Sequence, residues 1–178
     1  MQDQGRQSRG DRDMSFHLHL RAVAEDEIRD DHASLKEFMG AAWDNHETEY
    51  AAGIAESIAK DFGPLNDLYL AGPTLVGGTT SWDLPIYGGR IVPAYMERQP
   101  PFVILDPDQV ATVADLLAGA SFEALWQVEG AKLTAPYAQW EDPKGAAKEN
   151  YLAHHTGLRD FYGRAAAAHR AVVKAFWY

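Results

Sequence analysis

Asp106-Pro107-Asp108-Gln109-Val110-Ala111-Thr112-Val113-Ala114-Asp115-Leu116-Leu117-Ala118-Gly119 decides how the last third of the chain is read. Asp106 is a good N-cap, Pro107 suits the first helical position, and Gln109 at the third completes a capping box. Val110, Val113, Leu116 and Leu117 supply the buried stripe, and Gly119 stops the helix. Working outward, Phe102-Val103-Ile104-Leu105 is a short apolar run before the cap. Ser121 caps a second helix carrying Phe122, Leu125 and Trp126. A loop with Pro136, Tyr137 and Trp140 leads to Pro143 and a long helix over residues 144–169, striped by Tyr151, His155, Leu158, Tyr162, Ala165 and His169. The apolar end, residues 171–177, reads as a strand.

The first half reads less sharply. Phe16, Leu18 and Leu20 alternate with His17, His19 and Arg21, the period-two signature of a half-buried strand able to pair with the C-terminal one. Glu25-Asp26-Glu27 favours the first turn of a helix, because acidic side chains suit the positive end of the dipole. Leu35, Phe38, Met39 and Trp43 recur at helical spacing, and a further stripe runs through Tyr50, Ile54, Ile58 and Phe62. Two helices are expected, or one bent near Asp44-Asn45, ended by Gly63-Pro64. Leu65 to Leu70 allows another turn or two of helix. Gly72-Pro73, Gly77-Gly78 and Gly88-Gly89 punctuate the chain with turns. Between them Leu84-Pro85-Ile86-Tyr87 and Arg90-Ile91-Val92 read as short strands, with Gly88-Gly89 a two-residue hairpin. A Gly- and Pro-rich segment over residues 72–101 is where a functional site is expected to border the fold.

Bulk composition limits the function classes. The chain has 178 residues, 46% hydrophobic, enough for one full core and short for two domains. A net charge of −10, without a Lys/Arg cluster, argues against nucleic-acid and anionic-membrane partners. The absence of cysteine excludes disulfides and thiolate catalysis. No apolar run approaches the roughly 18 residues needed to span a bilayer, and the polar N-terminus has no signal-peptide core. A cytoplasmic protein is expected. Residues 1–13 hold three Asp and three Arg and no hydrophobic residue after Met1, so they are expected to be a disordered extension, with Met14 an alternative start.

Several motifs together resemble a known family, the YfbM-like bacterial proteins of unknown function. Ile104-Leu105-Asp106-Pro107-Asp108-Gln109-Val110 is similar to that family's helix start. Pro136-Tyr137 with Trp140, and Leu158-Arg159-Asp160-Phe161-Tyr162 with the alanine run, are similar to its later motifs. Met14-Ser15-Phe16-His17-Leu18 matches its first strand, and Gly88-Gly89 takes the place of its Gly-Gly pair. The chain departs at Lys60-Asp61-Phe62-Gly63-Pro64-Leu65-Asn66-Asp67, where the family carries a Trp/His motif. The resemblance implies a single domain over residues 14–178 and supplies no activity.

The expected fold is α+β: a small antiparallel or mixed sheet containing the N- and C-terminal strands, covered by four or five helices. Candidate site residues are His17, His19, Trp82, Asp83, His154, His155 and Tyr162. His17 and His19 stand on one strand face about 7 Å apart, a spacing that can share a metal if a third ligand converges, though a solvated strand face explains them better. His154 or His155 suits a general base beside Asp160 or Tyr162, yet a core-edge histidine is the stronger reading. Trp82 reads as a hydrophobic plug rather than a ligand anchor. No metal and no cofactor is implied. Two functions follow as expectations: a binding module whose acidic surface meets a basic protein partner, or a small-molecule-binding protein or hydrolase-like enzyme with a His-lined pocket. The aromatic terminus Phe176, Trp177 and Tyr178 leaves open a monomer or a weak homodimer.

Overall fold

Alternating Leu18 and Leu20 with His17 and His19 places strand β1 (His17–Val23) at the centre of a sheet. The computed structural model describes residues 16–76, 81–94 and 99–177; the expected N-terminal extension, the Gly77-Gly78 turn and Tyr178 lie outside them. β1 pairs antiparallel with the C-terminal strand β5 (Ala171–Trp177), from His17↔Trp177 to Val23↔Ala171. Its other edge takes β2 (Ala55–Ala59), and β5 continues to β4 (Phe102–Leu105) and β3 (Arg90–Val92). The order is β2-β1-β5-β4-β3, and every pairing is antiparallel. The two terminal strands therefore meet in the middle of the sheet, as the alternating first segment and the apolar last one predict.

The described helices are α1 (His32–Asp44), α2 (His46–Ala51), α3 (Phe62–Leu70), α4 (Gly72–Val76), α5 (Pro107–Gly119), α6 (Phe122–Glu129) and α7 (Pro143–Ala167). Apart from the short α2 and α4 these are the expected set, and the fold is α+β. The capping signals are realised. Gln109 N–H donates to Asp106 Oδ1 at 2.8 Å while Asp106 N–H donates to Gln109 Oε1 at 3.1 Å. Ser121 and Asp142 cap α6 and α7 by a single bond each, accepting from the N–H groups of Ala124 and Gly145. None of the described helices is long and apolar enough to cross a membrane.

Four local expectations are corrected. Glu25–Glu27 forms a single 3₁₀ turn, and the helix begins only where Asp31 caps Ser34 N–H at 2.9 Å. The stripe Tyr50, Ile54, Ile58 does not continue a helix: Gly53, at φ 69°, ends α2, and Ile58 lies in β2. Residues four apart share a face in a strand as well as in a helix, so that spacing did not separate the two. Gly63-Pro64 is no stop. Pro64 sits third in α3, where a missing N–H needs no intrahelical acceptor, and Gly72-Pro73 likewise opens α4. Finally, Leu84–Tyr87 is not a strand and Gly88-Gly89 makes no hairpin. The segment is a series of turns, with the N–H groups of Ile86, Tyr87 and Gly88 all donating to the Asp83 carbonyl. Gly89, at φ 130°, brings its backbone so close to β4 that a Cβ would lie 2.8 Å from Val103 Cγ1.

Both sheet faces are covered. On one, Leu18, Leu20, Ile58, Val103, Leu105, Val172 and Phe176 meet α3, α5, α6 and α7. On the other, Val23, Phe102, Ile104 and Val173 meet Leu35 and Met39 of α1. β1 is thus not the half-buried strand its alternation suggests. His19 is fully buried against α1 and α2, and His155 of α7 is buried on the opposite side. Lys174, in the middle of β5, is also fully buried. Its ammonium donates to the carbonyl of Leu84 and, at 2.9 Å, to that of Gly88; Tyr162 Oη donates to the Pro85 carbonyl at 2.8 Å. Burial pulls the Lys174 amine down to about 7, opposed by the Asp83 carboxylate.

Two outcomes are expected. Lys174→Met leaves two partly buried carbonyls without their donor, and each unsatisfied buried group costs on the order of 1–3 kcal/mol. Urea unfolding should register a loss of about 3 kcal/mol, with amide exchange in residues 81–88 accelerating most. Burial first, and then the charges of His17, Arg21 and His46, hold His19 down at about 4; burial and Arg159 do the same to His155. Unfolded histidine takes up its proton near 6.5. The contribution of these two histidines to stability is therefore flat above that pH and falls between about 6.5 and 4, by up to about 3 kcal/mol per histidine. Glutamine in place of either residue should flatten its share of that slope in a pH series of melting temperatures; an unchanged slope in both variants refutes the assignment.

Candidate functional site

The seven candidate residues do not converge on one pocket, because the sheet stands between them. His17 and His19 face α1 and α2. The indole of Trp43 stacks on His17 at 4.3 Å between centroids and on His46 at 5.0 Å, with His19 edge-on at 5.5 Å. Tyr50 approaches His19 at 6.1 Å, and neither ring nitrogen of His19 has a hydrogen-bond partner among the described residues. The strand face read as solvated is a packed aromatic layer. No group of three His, Asp or Glu able to hold a metal occurs among the described residues.

Across the sheet, His155 Nδ1 lies 3.2 Å from the Tyr69 hydroxyl and its ring packs against Phe122, as a core-edge histidine would. Tyr162 is committed to the Pro85 carbonyl. Asp160, the other expected partner of a histidine base, is exposed and 3.6 Å from Arg159. Trp82 is buried, its ring on the backbone of Gly72, and so behaves as a plug. Asp83 is exposed and shapes the turn that Lys174 and Tyr162 hold. The 81–88 segment is therefore cemented to the core rather than arranged around a cavity.

His154, one position round the helix, points elsewhere and reveals a cluster that sequence reading did not single out. At the junction of β2 and α3, Lys60 adopts a left-handed backbone at φ 55°, and Asp61 follows at the N-cap position of α3. Its carboxylate forgoes the cap and turns to α7. Asn150 Nδ2 donates to Oδ2 at 2.9 Å, Tyr151 Oη donates to Oδ1 at 3.5 Å, and His154 Nε2 lies 3.4 Å from Oδ2. Tyr151 stands 6.5 Å from Tyr137, which stands 6.1 Å from Trp140, ring to ring. Burial by itself would raise the Asp61 carboxyl; the hydrogen bonds from His154 and Asn150, the charge of His154 and the bond from Tyr151 outweigh it and hold the group below its ordinary value. The same carboxylate, after burial, raises Tyr151 and Tyr137.

The cluster faces water. The side chains of His154 and Asp61 are 22% and 29% exposed, and Trp140 is 57% exposed. It offers a fixed anionic acceptor, an imidazole beside it, and a wet aromatic pair. The signal for it in the sequence is weak, since an Asp before a helix ordinarily reads as a cap. It falls where Lys60 to Asp67 depart from the motif of the resembled family.

Comparisons with known proteins agree with this fold. The crystal structure of YfbM from Escherichia coli, a protein of unknown function, superposes with a TM-score of 0.55 at 11% identity, covering 90% of this chain and 99% of that one. At such identity the likeness speaks for the fold alone. No curated protein sequence matches the chain. The model of a domain of unknown function, DUF1877, matches residues 14–174. With the sheet order and helix starts described above, this match over most of its length shows that the chain belongs to the DUF1877 family.

Proposed function

We propose that this protein is a binding module that captures a basic segment of a protein partner at the Asp61 cluster. The observation that carries the reading is the carboxylate itself. Asp61 gives up helix capping, an interaction of about 1 kcal/mol, to be held ionised at the surface by Asn150, Tyr151 and His154. Left-handed Lys60 beside it stores backbone strain, which collects at functional positions. The exposed Trp140 and half-buried Tyr137 supply ring faces that attract a guanidinium or ammonium, while Asp61 accepts its hydrogen bonds. The net charge of −10 steers a basic partner toward the chain as a whole. A catalytic pocket assembled from His17, His19 and His154 or His155 finds no support, since those rings are divided between the two faces of the sheet and the surface.

Calorimetric titration with a tetra-arginine peptide tests the reading, with tetra-glutamate as control. Arginine peptide should bind, tetra-glutamate should not, and added salt should weaken the complex. Asp61→Asn and Trp140→Ala should each reduce affinity about fivefold or more. Binding that ignores both substitutions, or that ignores salt, refutes it.

A further inference from the structure

A second region of the surface has the opposite chemistry. Beyond the last residues of β1, where Ala22 N–H donates to the Ile54 carbonyl at 2.8 Å, a cleft of about 380 Å³ opens. Arg21, Gly53, Arg164 and Arg170 line it, and among the described residues Glu27 is its one acidic lining residue. This gathering of guanidinium groups stands out in a chain that carries 26 acidic and 16 basic residues.

Arg21 is placed by side-chain contacts, Arg164 and Arg170 by backbone geometry. Arg21 is secured by Glu49 Oε1 at 2.7 Å and lies 4.1 Å above the Phe38 ring. Arg164 Nε donates to the Gly53 carbonyl at 3.1 Å. Gly53 permits this approach because it lacks a side chain: a Cβ there would come within 2.6 Å of Nε. Arg170 follows a turn in which His169 takes φ 51° and the N–H groups of Ala168, His169 and Arg170 return to the carbonyls of Arg164, Ala166 and Ala165. Because the backbone itself closes the end of α7, neither arginine is needed to cap it. Among the described residues no carboxylate forms an ion pair with Arg164 or Arg170. Two exposed guanidinium groups therefore flank the cleft, while Arg21 is neutralised by Glu49.

We infer that this cleft binds a small anion, a carboxylate or a phosphate, clamped between Arg164 and Arg170 beside Arg21. The volume suits a metabolite-sized ligand. Guanidinium forks match the paired oxygens of both groups. Glu27 opposes any anion and so limits its affinity, favouring ligands that also carry a donor able to reach that carboxylate. The site is independent of the Asp61 cluster in charge, position and ligand.

Heteronuclear NMR titration at low ionic strength tests it, with inorganic phosphate in one arm and succinate in the other. Saturable shifts should appear at residues 21–27, 52–54 and 164–170. Binding by one anion alone supports the site and identifies its class; binding by both supports the shared chemistry. Arg170→Ala and Arg164→Gln should each weaken binding about tenfold, Glu27→Gln should tighten it about threefold, and Arg159→Ala, an exposed arginine on the same helix, should leave it unchanged. Arg170 is exposed and has no side-chain partner among the described residues, so its removal reads out the site even if Arg164→Gln disturbs the Gly53 turn. Failure of both anions to saturate overturns the inference, as does equal weakening by Arg159→Ala, which would mark a response to bulk charge.

Discussion

The constraint on which this structure depends is that β1 and β5 are covered on both faces, so His19 and Lys174, the polar side chains at their centres, must be accommodated inside. The two lie on opposite faces of the sheet, and each would stand in water if its own face were left uncovered. Here the first becomes a neutral ring in an aromatic layer, and the second becomes a buried donor. An ammonium taken out of water is tolerated only with close acceptors. Lys174 finds them in the carbonyls of Leu84 and Gly88, and Tyr162 takes the one between. The conformation of the 81–88 segment follows from the needs of residues some 80 to 90 positions away.

That arrangement also decides where a site can be. The Gly- and Pro-rich middle, which invites a search for a pocket, is occupied by Trp82 and Ile86 in its described part and held by the core. What remains functional-looking sits at the periphery of α7. Residues 150–154 meet Asp61, and residues 164–170 border the arginine cleft. At 1.5 Å per residue, those two groups are separated by roughly 20 Å along the helix. One helix thus presents an anionic aromatic surface and a cationic cleft, each built on a departure from ordinary backbone: Lys60 in one, Gly53 and His169 in the other. Both are short-range arrangements on a rigid element, which is how a small fold positions groups without a large cavity.

Much of the fold was legible in the sequence wherever the signal was local. The Asp106 capping box, the Ser121 cap, the long helix and the extended character of the two terminal segments all rest on hydrogen bonds or periodicities within a few residues. The failures share a cause as well. A four-residue spacing at Ile54 and Ile58 fits strand and helix alike, and alternation in β1 does not say whether the polar side is wet. A lysine inside the apolar run Val172-Val173-Lys174-Ala175-Phe176 was the available clue that something polar lies over the sheet.

The sequence by itself determined the class of this fold, the starts of its later helices and the strand character of its terminal segments, because caps and periodicity act over one or two turns of chain. Tertiary structure alone decided which histidines share a face, that Asp61 turns from its own helix to α7, and that Arg164 and Arg170 stand beside one cleft. Those outcomes depend on distant partners, 93 residues apart in the Asp61–His154 contact and 111 in the Gly53–Arg164 contact. Local pattern carries no record of such distances; only the packing of both sheet faces brings the partners into reach.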